Sequence, residues 1–106
     1  MNTQTRILRL ELETEGWKVQ EISSPISKQY WWVWESWILT KDGEQLFLSF
    51  LIDPQSEKRE SNVWAVSANK QEPIERLEAE AGPILTLGRG WKNRLKEFIS
   101  AIRNSY

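Results

Sequence analysis

Residues 30–54 read YWWVWESWILTKDGEQLFLSFLIDP, and the fold turns on how this stretch pairs with itself. It holds four of the protein's seven tryptophans, Trp31, Trp32, Trp34 and Trp37, followed by Lys41-Asp42-Gly43 and an apolar run from Leu46 to Ile52. Two runs of aromatic and branched side chains around an Asp-Gly predict a β-hairpin.

The loop sets the register. A type I turn over Thr40-Lys41-Asp42 with Gly43 in the left-handed region pairs Thr40 with Glu44 and sets even positions opposite even ones. One face then carries Trp32, Trp34, Ser36 and Ile38 against Leu46, Leu48, Phe50 and Ile52, a core pattern. The other carries Trp31, Val33, Glu35, Trp37 and Leu39 with Gln45, Phe47, Ser49, Leu51 and Asp53, which is unusually aromatic for a water-facing surface. A two-residue Asp42-Gly43 turn pairs Lys41 with Glu44 and regroups the faces. The first register is preferred, because a one-residue slip sets Glu35 on the strongly apolar face, where a carboxylate is costly.

Upstream, residues 3–15 fit a helix on the strength of good helix formers, a Thr3 cap and a stop at Gly16. Leu8, Leu10 and Leu12 also alternate with charged residues, which is strand spacing. The helix is the expectation, since Ile7, Leu8 and Leu12 share a helical arc. Trp17 to Ile22 alternates as a first strand, and residues 23–29 form a polar loop into the hairpin. Downstream, residues 53–62 (DPQSEKRESN) are charged and turn-rich, an exposed connection. Residues 61–68, centred on Val63, Trp64, Ala65 and Val66, read as a fourth strand.

Pro73 suits the first position of an acidic helix ending near Ala81, before Gly82-Pro83. Ile84 to Leu87 is a short apolar piece, extended or irregular. From Trp91 to Asn104 the residues Trp91, Leu95, Phe98, Ile99 and Ile102 recur at helical spacing, a core-facing stripe. Arg89, Lys92, Lys96 and Arg103 border it on one flank. The expected fold is therefore α+β: a four-stranded antiparallel β-meander, an N-terminal helix and two C-terminal helices, the last packed on the sheet, in one domain over residues 1–106.

Composition narrows the function. Among 106 residues, 40% are hydrophobic and 27% charged, ordinary for a folded domain of this size, and the net charge of −1 gives no global attraction to nucleic acid or anionic membranes. The chain has no cysteine and no histidine. That removes disulfides, Cys/His zinc sites, thiol nucleophiles and imidazole proton transfer near neutral pH. No apolar run is of membrane-spanning length, and MNTQTRILRLELE lacks the pattern of a signal peptide. A cytoplasmic protein with no cofactor or metal is expected.

Each remaining feature has a bland explanation beside a sharp one. Trp17, Trp32, Trp64 and Trp91 are assigned to core filling, each ring burying on the order of 200 Å². Trp31 and Trp37 fall on the mixed face with Val33, Leu39, Phe47 and Leu51, and an apolar patch of that size is either covered by a helix or left for a partner. Glu35 among aromatic residues invites an acid–base role, but no second carboxylate is placed to work with it. Gly88-Arg89-Gly90 before a helix could hold an anion, though glycines at a tight turn explain it without a ligand and the full dinucleotide and P-loop patterns are absent.

The leading expectation is a non-enzymatic interaction domain that binds a protein or peptide, or a second copy of itself, through an aromatic sheet face of Trp31, Val33, Glu35, Trp37 and Phe47. The alternative is binding of nucleic acid or a phosphate ligand through Arg89, Lys92, Lys96 and Arg103. The acidic 73–81 helix would neutralise that basic flank if the two packed together.

Overall fold

The computed structural model describes residues 3–22, 33–53, 62–70 and 83–105. A helix, α1 (Thr3–Thr14), is followed by β1 (Lys18–Ile22), β2 (Val33–Lys41), β3 (Glu44–Ile52), β4 (Val63–Asn69), β5 (Ile84–Thr86) and a second helix, α2 (Trp91–Ser105). The strands form one antiparallel sheet in the order β1-β2-β3-β4-β5. The architecture is α+β, as expected, but the sheet has five strands rather than four. The apolar piece after Pro83 joins it as an edge, with Leu85 opposite Val66 and Ile84 opposite Ser67. α2 is the C-terminal helix of the described residues, and the helix expected over 73–81 lies outside them.

The hairpin takes the register that the sequence reading disfavoured. Lys41 pairs with Glu44, so Asp42 and Gly43 alone make the turn, at φ 51° and 82°. Two consecutive left-handed residues are the mark of a type I′ turn, whose twist matches that of the strands. A Cβ on Gly43 would meet nothing within 4 Å, so Gly43→Ala carries a purely conformational cost. A loss of about 1–2 kcal/mol in urea unfolding is expected.

The shift regroups both faces. Trp37 now lies opposite Leu48 and Leu39 opposite Leu46. These residues, with Phe50, Val66, Ala68 and Leu85, make the helix-covered face, where they join Leu8 and Leu12 of α1 and Leu95, Phe98, Ile99 and Ile102 of α2 in one core. Ser36, Ser49 and Ser67 run side by side across the three central strands on the other face. Beside them Val33, Leu51 and Ala65 form a small separate cluster, to which no described helix residue belongs.

Two irregularities complete the sheet, each adding one residue to a strand that flanks β3. Val33 pairs with Leu51 but Glu35 with Phe50, leaving Trp34 as the extra residue; Leu51 pairs with Ala65 but Ile52 with Val63, leaving Trp64. An extra residue reverses side-chain parity beyond it. Val33 therefore falls on the serine face while Glu35, Trp37 and Leu39 face the helices.

The expected helix at the N-terminus is present, and the Leu8/Leu10/Leu12 alternation that competed with it is resolved by exposure. Leu8 and Leu12 are fully buried, whereas Leu10 is 58% exposed. The helix ends in a Schellman motif: Trp17 N–H donates to Leu12 C=O at 3.0 Å and Gly16 N–H to Glu13 C=O at 3.0 Å. Gly16 sits at φ 98°, and the apolar contact that completes the motif is supplied by Trp17 and Leu12, both core residues. In α2 the stripe read from sequence is the buried one, with Trp91 half-buried at its start.

Candidate functional site

Both helices lie on one face of the sheet, α1 over β1 and α2 over β5. They run in the same direction. Gln4 Nε2, in the first turn of α1, donates to the carbonyl of Leu87 just before α2 at 2.8 Å. At the far end Arg103 of α2 donates through Nε to Glu15 Oε1 at 2.8 Å, and a second nitrogen of the same guanidinium meets the same oxygen. Arg9 is paired with Glu21, fastening α1 to the edge strand β1.

Between these two ties the helices leave an open groove of about 500 Å³. Its floor is apolar, with half-buried Ile7 beside the core residues Leu95 and Ile99, which show only 5% and 6% of their surface. One wall is basic: Lys92 and Lys96 stand one helical turn apart on α2, both exposed, with no ion pair to a described residue. Glu11 lines the other side. Ser100 and the Glu15-tied Arg103 close the C-terminal end.

The sequence-derived sites are distributed differently from expectation. Trp37 has 0% exposure and cannot anchor a partner at the surface. Its ring lies 4.6 Å from that of Phe50, tilted by 52°, and its indole N–H donates to Glu35 Oε2 at 3.2 Å. Glu35 is thus a half-buried acceptor for a core indole, and its place on the apolar face, which had counted against this register, is explained by that bond. Val33 is 2% exposed and Phe47 half-buried, both on the serine face, so Val33 and Phe47 are separated by the sheet from Glu35 and Trp37. Trp31 lies outside the described residues, as does Trp32. Of the tryptophans assigned to the core, Trp17 is buried and half-buried Trp91 packs against the core cluster, but Trp64, displaced by its bulge, is 40% exposed.

On the basic flank, Lys92, Lys96 and Arg103 do line one groove, while Arg89 is exposed in the turn before α2. The Gly88-Arg89-Gly90 turn is organised by a residue that sequence reading passed over. Arg94 donates to the carbonyls of Gly88 and Arg89 at 2.9 Å each and, through Nε, to Thr86 at 3.2 Å. Ile7, Glu11 and Ser100 were also missed. Their only signal in the sequence was membership of two amphipathic helices, and nothing in it said that the helices would stand side by side.

The serine row has its own consequence for stability. Ser36, Ser49 and Ser67 are each 1% exposed, and the hydroxyls of Ser36 and Ser67 have no hydrogen-bond partner. An unpaired buried hydroxyl costs on the order of 1–3 kcal/mol. Ser67→Ala should therefore be neutral or raise stability by about 1 kcal/mol in urea unfolding; a loss of that size would show that the hydroxyl is bonded in solution.

No described helix is long and apolar enough to cross a membrane. Compared with protein-family models, with curated proteins and with solved structures, the chain matches none.

Proposed function

We propose that this chain is a small non-enzymatic interaction domain that binds a protein or peptide partner, and that its binding surface is the groove between α1 and α2. The observation that carries the reading is a groove with an apolar floor beside two exposed lysines on one wall that pair with no described residue. The aromatic sheet face is the weaker candidate, because Trp37 is wholly buried and Val33 nearly so.

The groove's shape favours a macromolecule. Small ligands gain affinity by having most of their surface enclosed. This groove is only partly enclosed, so an occupant must bring its own second surface to exclude water. The test is a photo-reactive residue at Ser100, placed in the intact protein in its native host. A single, reproducible adduct that disappears on Lys92→Glu/Lys96→Glu is expected. No adduct from Ser100, with a clear one from a probe at Phe47, would move the binding surface to the sheet.

A phosphate-bearing partner is the competing reading, through Arg89, Lys92 and Lys96. Arg103 is already committed to Glu15, which reduces the basic charge available on this flank. Affinity falling steeply and log-linearly with salt would favour nucleic acid, whereas a mainly apolar peptide contact weakens far less.

A further inference from the structure

The partner's chemistry can be carried further, on the reading that the α1–α2 groove is the binding surface. We infer that its occupant is an α-helix of another protein, with an apolar stripe on the groove and carboxylates along the flank that meets α2. Both walls of the groove are α-helices whose backbone groups are spent internally, so an extended peptide would find no free main-chain donors or acceptors to pair with. Such a peptide would have to desolvate its own amides without compensation. A helix brings its backbone already satisfied and can set apolar side chains at three- and four-residue spacing against half-buried Ile7 and the outer edges of Leu95 and Ile99.

Charge sets the orientation of that helix about its axis. Lys92 and Lys96 repeat with a spacing of four on the wall formed by α2, so acidic residues four apart on the incoming helix can meet them in turn. Glu11 on the opposite side disfavours a carboxylate there and suits a neutral or basic residue. The expected ligand is thus acidic on one flank only, a narrower class than any anionic peptide.

The experiment uses the full chain, labelled with ¹⁵N, and three synthetic peptides of about 15 residues, a length at which a helix needs help to form alone. The first is stapled into a helix with leucines on one face and glutamates beside them. The second replaces each glutamate by lysine, and the third is the acidic sequence with a central proline and no staple. The stapled acidic peptide should shift the amides of Ile7, Lys96 and Ser100, and should bind about tenfold more weakly to Lys92→Glu/Lys96→Glu. The basic peptide should show the reverse preference, which a misfolded variant would not produce.

If the acidic and basic peptides bind the wild-type chain equally, the charge assignment is wrong. Equal binding by the proline peptide would remove the helical assignment and leave the groove reading standing; no amide shifts from any peptide would remove both. The same residues shifting only with a single-stranded oligonucleotide would assign the surface to nucleic acid. Binding of the acidic peptide only when Glu75→Gln/Glu78→Gln is introduced would overturn the foreign partner in favour of this chain's own acidic stretch.

Discussion

Trp37→Ala should lower the stability of the protein by about 3–5 kcal/mol, the range for emptying a large aromatic site in a packed core. The residue has no exposed surface, stacks obliquely on Phe50 and belongs to the core to which both helices contribute. A domain of this size holds roughly 5–15 kcal/mol in all, so the variant would sit near the edge of folding. With a urea slope of about 1.5 kcal/mol/M, the unfolding midpoint falls by about 2–3 M. Trp37→Phe should recover most of the loss. It keeps a ring against Phe50 and forfeits the indole hydrogen bond to Glu35, worth on the order of 1–2 kcal/mol with a carboxylate acceptor. If Trp37 were instead a surface anchor for a partner, Ala would leave stability within about 0.5 kcal/mol and abolish binding alone.

The second large effect is expected at Arg94. Its guanidinium joins three carbonyls, those of Thr86, Gly88 and Arg89, and so fixes the turn that carries the chain from the edge strand β5 into α2. Charge-assisted bonds of this kind are worth more than neutral ones, though water reaches this site and screens them. Arg94→Ala should cost about 2 kcal/mol, or roughly 10 °C in melting temperature for a chain of this length. Arg94→Lys should recover less than half, because a single ammonium cannot span three acceptors in fixed fork geometry. Arg89→Ala, removing an exposed side chain in the same turn, should change stability by less than about 0.5 kcal/mol. Comparable losses at both arginines would contradict the assignment of the turn to Arg94.

These two residues show where reading the sequence succeeded and where it stopped. Trp37 was found as part of a hairpin strand and assigned to the wrong face. β2 and β3 carry large apolar residues at both parities: Leu46, Leu48 and Phe50 face the helices, while Phe47 and Leu51 lie on the serine face. When both faces are apolar, periodicity cannot choose between registers one residue apart. A carboxylate on the core side is costly only when it lacks a partner, and Glu35 accepts the indole N–H two residues along the same strand. The bulges at Trp34 and Trp64 left no local mark, since the extra residue is defined only by what β3 places opposite it.

The sequence by itself determined the elements: α1 with its stop at Gly16, a hairpin reversal within residues 40–43 though not its turn type, the strands on either side of it, and α2 with the buried stripe of Leu95, Phe98, Ile99 and Ile102. Those features are local, set by backbone preference at a few residues and by periodicity within one element. Tertiary structure decided the rest: which parity of β2 faces the helices, that Ile84–Thr86 becomes a fifth strand, and that Lys92 and Lys96 border a groove with Ile7. Each of these depends on two segments meeting across many intervening residues, and their relative placement is fixed by packing the whole core at once.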